Sequence, residues 1–228
     1  MRIIIAINAP PGNCRLMYNI FMRPLEEIIE NRESPRLFLI ADTHFGHENI
    51  IKYCSRPFKG ADEMDSIMIR NWNSVVGADD VVIHLGDFAL AGKEQVRTLL
   101  LRLNGRKRLI MGNHDWSNRR SDDGKKFRDP GFYREAGFDE VYDQAILLGH
   151  YVLSHEPVDI VSPASCFGNI YGHIHDDERY HTVTKGTVCM CVERWNYTPV
   201  LFQDVIEAMQ EAAAKPHRPF PERKGNLR

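Results

Sequence analysis

A chain of 228 residues is long enough for one α/β domain with a sizeable core, and a composition of 43% apolar and 26% charged residues excludes a disordered protein. Its formal net charge of -2 excludes a long-range positive field that would gather nucleic acid or an anionic membrane. The apolar run over 3–7 is too short to cross a bilayer or to form a signal-peptide core, and the five cysteines, odd in number and without paired CxxC spacing, read as reduced and mostly buried, so the expected location is cytoplasmic.

Residues 1–35 read as an N-terminal extension of unknown role, in which a short apolar stretch meets Pro10, Pro11 and Gly12 and helical character over 25–30 follows Pro24. From Arg36 the rhythm changes to apolar runs that end in polar clusters, and 36–214 read as one domain. A strand over 37–41 stops at Asp42. A helix is expected over 61–76, with Met64, Ile67, Met68 and Trp72 at helical spacing and Gly77 near its end. The strand 81–85 ends at Gly86-Asp87, the helix 93–103 closes at Asn104-Gly105, and the strand 108–111 ends at Gly112-Asn113-His114-Asp115. The charged stretch 116–137 reads as a surface excursion beside that third corner, part of a lid. Shorter strands follow over 140–148, 151–153, 168–171 and 187–192, with a turn at Gly149, then a closing helix over 203–214. The Pro- and Arg-rich end, 215–228, reads as a flexible tail.

Five polar groups stand where apolar runs stop: Asp42-Thr43-His44, Gly86-Asp87, Gly112-Asn113-His114-Asp115, Ser154-His155 and Gly172-His173-Ile174-His175. In extended chain, side chains at i and i+2 project to the same side, which pairs Asp42 with His44 and His173 with His175. Open α/β sheets gather ligands at the carboxyl ends of their strands, where these clusters sit. Imidazole mixed with carboxylate and amide oxygen suits manganese, iron, zinc or nickel better than calcium or magnesium. One buried cation is satisfied by about four to six donors. Asp42, His44, Asp87, Asn113, His155, His173 and His175 offer seven, a surplus that two cations sharing a carboxylate account for.

In that order the set resembles the calcineurin-like metallophosphoesterase superfamily, whose pattern is DxH, GD, GNH(D/E), H and GHxH; the match covers 36 to about 192. The opening Asp42-Thr43-His44-Phe45-Gly46-His47, with Trp72-Asn73 and Trp195-Asn196-Tyr197, is similar to a small bacterial and phage branch of it. The residue pattern alone gives an α/β fold. The resemblance implies a four-layered α/β/β/α sandwich of two mixed sheets flanked by helices. It also implies that Asp42, His44 and His175 hold a first metal and Asn113, His155 and His173 a second, with Asp87 bridging them. His114 would bind the scissile phosphate and assist the leaving oxygen, with Asp115 orienting its ring. The expected cofactors are two divalent ions, manganese first, with iron, zinc or nickel as alternatives. They lower the pKa of a bound water and so supply the nucleophile, and no Ser or Cys nucleophile is required. The substrate is then a phosphodiester or small phosphomonoester, nucleotide-type among the options. Protein phosphatases of the superfamily follow GD with an Asp-Arg pair, whereas Phe88-Ala89-Leu90 follows here and argues against that branch.

His47 reads equally as a substrate contact or as part of a turn or helix start. Arg56, Arg119 and Arg120 are candidate phosphate contacts through bidentate hydrogen bonds, set against an ordinary solvated role. Trp116 and Tyr171 either stack on a substrate ring or pack beside the site. His84 reads as a core histidine, His150 as a surface one, and His181 and His217 carry no signal. Two other function classes stay open. One is a metal-binding scaffold without catalysis, against which the retained His114 speaks. The other is a nuclease, which the balanced charge and short length disfavour. The expected partner is a small phosphate ester and no membrane; oligomeric state is not legible.

Overall fold

The computed structural model describes residues 3–5, 33, 35–116, 129–160 and 168–214. The expected helix over 25–30, the tail 215–228, Cys14, Cys166, Arg119, Arg120 and His217 lie outside them. Two mixed sheets stack face to face, flanked by helices, the architecture the sequence led us to expect.

In the first sheet β2 (Leu37–Ile40), β3 (Val81–His84), β4 (Arg106–Ile110) and β5 (Glu140–Tyr142) run parallel in that order, and β11 (Val200–Leu201) pairs antiparallel with β2 at the edge. Leu37 and Leu39 face the space between the sheets, while Phe38 and Ile40 face the helices. All four are buried, which is why the run is apolar at every position rather than alternating. The second sheet has the order β10 (Thr187–Cys189), β9 (Gly168–Tyr171), β7 (Tyr151–Leu153) and β6 (Ile146–Leu148), parallel except for the β6–β7 hairpin. β1 (Ile3–Ile5) pairs in parallel with β8 (Val158–Ile160) as a separate two-stranded ribbon.

The helices α1 (Glu48–Tyr53), α2 (Ala61–Val75), α3 (Lys93–Arg102) and α4 (Pro130–Ala136) lie on the outer side of the first sheet. Met64, Met68 and Trp72 of α2 and Val96, Leu99 and Leu100 of α3 fill that layer, each large side chain contributing about 1.5–3 kcal/mol on burial. α5 (Phe202–Ala214) closes the space between the sheets with Phe202, Val205 and Met209. No described helix is long and apolar enough to cross a membrane.

Three elements depart from expectation. The stretch read as a surface excursion ends in α4: Asp129 accepts the amide of Phe132 at 2.9 Å, Pro130 opens the helix, and Gly137 closes it at φ 123°. Its Tyr133 is fully buried. The run over 140–148 is two strands in different sheets, because exposed Asp143 and Gln144 interrupt it. The strand expected over 187–192 stops at Cys189, and a 3-10 helix, Val192–Trp195, follows.

Candidate metal centre

Asp42, Asp87, Asn113, His155 and His173 follow the carboxyl ends of β2, β3, β4, β7 and β9, so the parallel strands of both sheets deliver their corners to one end of the sandwich. The sheets are joined there: the amide of Ala41 donates to the carbonyl of Met190, and that of Val192 to the carbonyl of Ala41. Two glycines are fixed by close approach. A Cβ on Gly112 would lie 2.3 Å from Asp87 Oδ1, and one on Gly172 would lie 2.3 Å from Asp42 Oδ2. Asp42, His44, Asp87, His173 and His175 all occupy left-handed backbone, with φ from 46° to 72°. Such backbone costs a non-glycine residue roughly 1–3 kcal/mol and collects at functional sites.

The structure brings the seven expected ligand residues together. Ligand atoms of Asp42, His44 and His175 lie within 4.8 Å of one another, as do those of Asp42, Asp87 and His155. His44 Nε2 is 3.9 Å from Asp42 Oδ1 and 3.5 Å from Asp87 Oδ2; His175 Nε2 is 3.8 Å from Asp42 Oδ1 and His155 Nε2 is 3.5 Å from Asp87 Oδ2. His155 donates Nδ1–H to the carbonyl of Leu85 at 2.9 Å, so its Nε2 presents a lone pair. That lone pair faces Asn113 Oδ1 at 2.9 Å and His173 Nδ1 at 3.2 Å.

A cation fits this set for a physical reason. Asp42 Oδ1 and His44 Nε2 are buried without a hydrogen-bond partner and face the same space, an expensive arrangement unless a positive charge lies among them. The donors are carboxylate, neutral imidazole and amide oxygen, suited to first-row divalent ions. Burial pushes the carboxyl of Asp42 well above its ordinary range, with the neighbouring charge of Asp87 adding to it, and burial raises Asp87 likewise. Burial first, and then the neighbouring His175 and Arg56, hold His44 far below the ordinary imidazole value, and burial, with His173 adding to it, brings His155 down to about 4. His44 and His155 are thus in the neutral form that binds metal.

His114 is exposed at the rim, its ring centroid 5.3 Å from that of His44 and 6.4 Å from that of His47. His47 stands at the N-cap of α1, the helix-start reading, and its Nδ1 lies 3.4 Å from His44 Nδ1, beside the cluster. Asp115 departs from the expected role. Rather than turning to the ring of His114, its carboxylate accepts the amides of Asp87 (2.7 Å), Phe88 (3.0 Å) and Gly112 (2.8 Å) and the hydroxyl of Tyr133 (3.0 Å). It braces two ligand corners from below, and burial lifts its carboxyl to about 6.

Arg56 is also corrected. Its side chain is fully buried, and its five N–H donors go to Glu193 Oε1 (twice), the carbonyls of Asp42 and Thr43, and Met64 Sδ. None remains for a phosphate. Tyr171 is buried and Trp116 packs on the helical core. His84 is the core histidine expected: Nδ1 accepts the amide of Gly86 at 3.2 Å, so Nε2–H donates to Thr43 Oγ1, which donates in turn to the carbonyl of Phe88.

Glu193, Cys191 and Tyr133 went unread in the sequence. Cys191 Sγ lies 3.3 Å from Asp42 Oδ2, which also accepts the amide of His173 at 2.8 Å. Glu193 receives His175 and Arg56; burial opposes its ionisation, yet these two partners hold its carboxyl below the ordinary range. No motif marks any of the three, because their partners are far away in the chain; only the helix boundaries at Asp129, Pro130 and Gly137 offered a signal, for Tyr133.

Comparison with known proteins adds to this geometry. A profile of the calcineurin-like phosphoesterase family matches residues 35–191. An uncharacterised protein of Methanocaldococcus jannaschii is 33% identical over 182 residues, 77% of this chain and 92% of its own. The gene 66 protein of Mycobacterium phage L5 is 38% identical over 78 residues, 33% of this chain and 37% of its own, a likeness confined to part of each. The crystal structure of a protein of unknown function from Aquifex aeolicus aligns with a TM-score of 0.54 at 27% identity, covering 75% of this chain and 98% of that one.

Proposed function

This chain belongs to the calcineurin-like phosphoesterase family, and from that premise we propose that it hydrolyses a phosphodiester or a small phosphomonoester at a centre of two divalent cations, manganese first among them. The family supports a metal-dependent phosphoesterase in general. The observation that carries the finer reading is the pair of buried, unpartnered atoms Asp42 Oδ1 and His44 Nε2, facing one space beside Asp87 with an exposed His114 at its rim.

In this reading Asp42, His44 and His175 hold the first cation, Asn113, His155 and His173 hold the second, and Asp87 serves both. When bound, the cations lower the pKa of coordinated water and neutralise charge that develops on the phosphoryl group. His114 holds the scissile phosphate by hydrogen bonding and returns a proton to the leaving oxygen, a role open to an imidazole near neutral pH. Asp115 and Tyr133 keep the turn that carries His114 in register with Asp87. His47 flanks the substrate from the His44 side. The free thiols of Cys54, Cys189 and Cys191 support a reducing, cytoplasmic setting.

Metal-stripped protein reloaded with manganese, iron, nickel or zinc is expected to cleave bis(p-nitrophenyl) phosphate or p-nitrophenyl phosphate and to be inert without the ions. No turnover of either ester with any of the ions would sink the enzymatic reading in favour of a binding protein of the same fold. Strand cleavage with steep salt dependence would move the activity to a nuclease.

A further inference from the structure

Glu193 lies on the short 3-10 helix Val192–Trp195, outside every motif of the site, yet its side chain is only 6% exposed. Its Oε1 accepts three hydrogen bonds: His175 Nδ1 at 2.9 Å, Arg56 Nε at 2.9 Å and Arg56 Nη2 at 2.7 Å. Arg56 in turn donates to the carbonyls of Asp42 at 2.7 Å and Thr43 at 2.9 Å. One buried ion pair therefore ties the corner after β2 to the corner after β9.

A histidine that donates Nδ1–H to a carboxylate is fixed in one tautomer, with its lone pair on Nε2. In His175 that lone pair faces Asp42 Oδ1 at 3.8 Å, the unpartnered oxygen that His44 Nε2 also faces. Without the carboxylate the imidazole is free to carry its proton on Nε2 and to turn, which removes a donor from that space. The backbone of His175 is held by other groups: its amide donates to Cys191 Sγ at 3.2 Å and its carbonyl accepts from Arg194 Nε. The path of the loop is thus separable from the aim of the ring. Cys54 also comes near Glu193 and His175, but the proton shared between the latter two makes that trio a hydrogen-bonded set rather than a ligand set.

Resting on the dimetal reading, we propose that Glu193 is a positioning residue for the first cation, which fixes the tautomer and orientation of His175 and, through Arg56, locks the Asp42 corner against the His175 corner. The test compares the full chain with Glu193→Gln, which keeps an uncharged acceptor, and Glu193→Leu, which keeps volume without one. Long-range 15N NMR of the metal-free proteins is expected to show His175 protonated on Nδ1 in the wild type and in Glu193→Gln, and a tautomer mixture in Glu193→Leu. Mn2+ titration followed by EPR is expected to show a coupled pair of ions in the wild type. First-site affinity should fall about 10-fold in Glu193→Gln and about 100-fold in Glu193→Leu, the range found for groups that orient metal ligands, with the second site unchanged. Wild-type affinity and tautomer in both variants would overturn the role of Glu193 and leave the dimetal centre standing. A wild type that binds no pair of ions overturns the dimetal reading, and the role of Glu193 with it. If Glu193→Leu does not fold because Arg56 loses its buried partner, unaltered first-site affinity in Glu193→Gln decides against the proposal.

Discussion

Asp87 divides its carboxylate between two tasks: Oδ1 accepts the amide of His114 at 2.8 Å, and Oδ2 lies 3.5 Å from both His44 Nε2 and His155 Nε2. Asp87→Asn is therefore expected to lower the content of both ions, read by elemental analysis after gel filtration. His114→Ala should keep both ions and lower kcat by about 10²–10⁴, the usual contribution of a positioned proton donor. Equal loss of metal in the two variants would overturn this division of roles. The seven candidate ligand residues were legible because each follows an apolar run that the parallel strands of the two sheets carry to the same end. Glu193, Arg56 and the true partners of Asp115 were not legible. Arg56 meets Glu193 across 137 residues, and Asp115 meets Tyr133 across a stretch whose charge suggested surface. A composition rule for exposed arginine also misled: five hydrogen bonds to four well-placed acceptors make burial of Arg56 tolerable.

At the scale of elements, the corners depend on how closely neighbouring chains approach. A Cβ on Gly172 would lie 2.3 Å from Asp42 Oδ2 and 2.8 Å from Ala41 Cβ, whereas one on Gly186 meets nothing within 4 Å. Gly172→Ala is expected to displace Asp42, to empty the first site and to lower Tm, while Gly186→Ala should behave as wild type in metal content and in thermal melting. Similar metal content in the two variants would mean that the corner yields without cost. The longer elements could be read because their periodicity repeats over several turns, as in α2 and α3. α4 has only seven residues, so its Asp129, Pro130 and Gly137 boundaries had to be read against a charged stretch. The split between β5 and β6 turns on Asp143 and Gln144, two residues that a period-two pattern absorbs without notice.

Over the whole molecule, protonation and folding are linked through buried histidines such as His84, which burial brings down to about 3 from an ordinary 6.5. In the unfolded chain His84 takes up its proton first, so its contribution to stability is present above about pH 6.5 and is lost as pH falls towards 3. Metal-free His84→Gln should show a shallower loss of unfolding free energy between pH 6.5 and 4, by up to about 1.4 kcal/mol per pH unit. Urea denaturation across that window reads it, and taking the difference between the two proteins removes the opposing trend of Asp42 and Asp87. Superimposable slopes would mean that His84 titrates normally in the fold. Sheet order was the part of the architecture that residues 36–214 expressed least, since pairing β11 beside β2 and joining Ala41 to Met190 are long-range events with no local pattern. The five candidate ligands in left-handed backbone carry a consequence of another kind. Glycine would sit more comfortably at each of these positions in the metal-free chain. On the reading proposed above, drift towards a sturdier protein therefore runs through the loss of that chemistry, and a lineage released from the need for the reaction has the most to gain by discarding these five residues first.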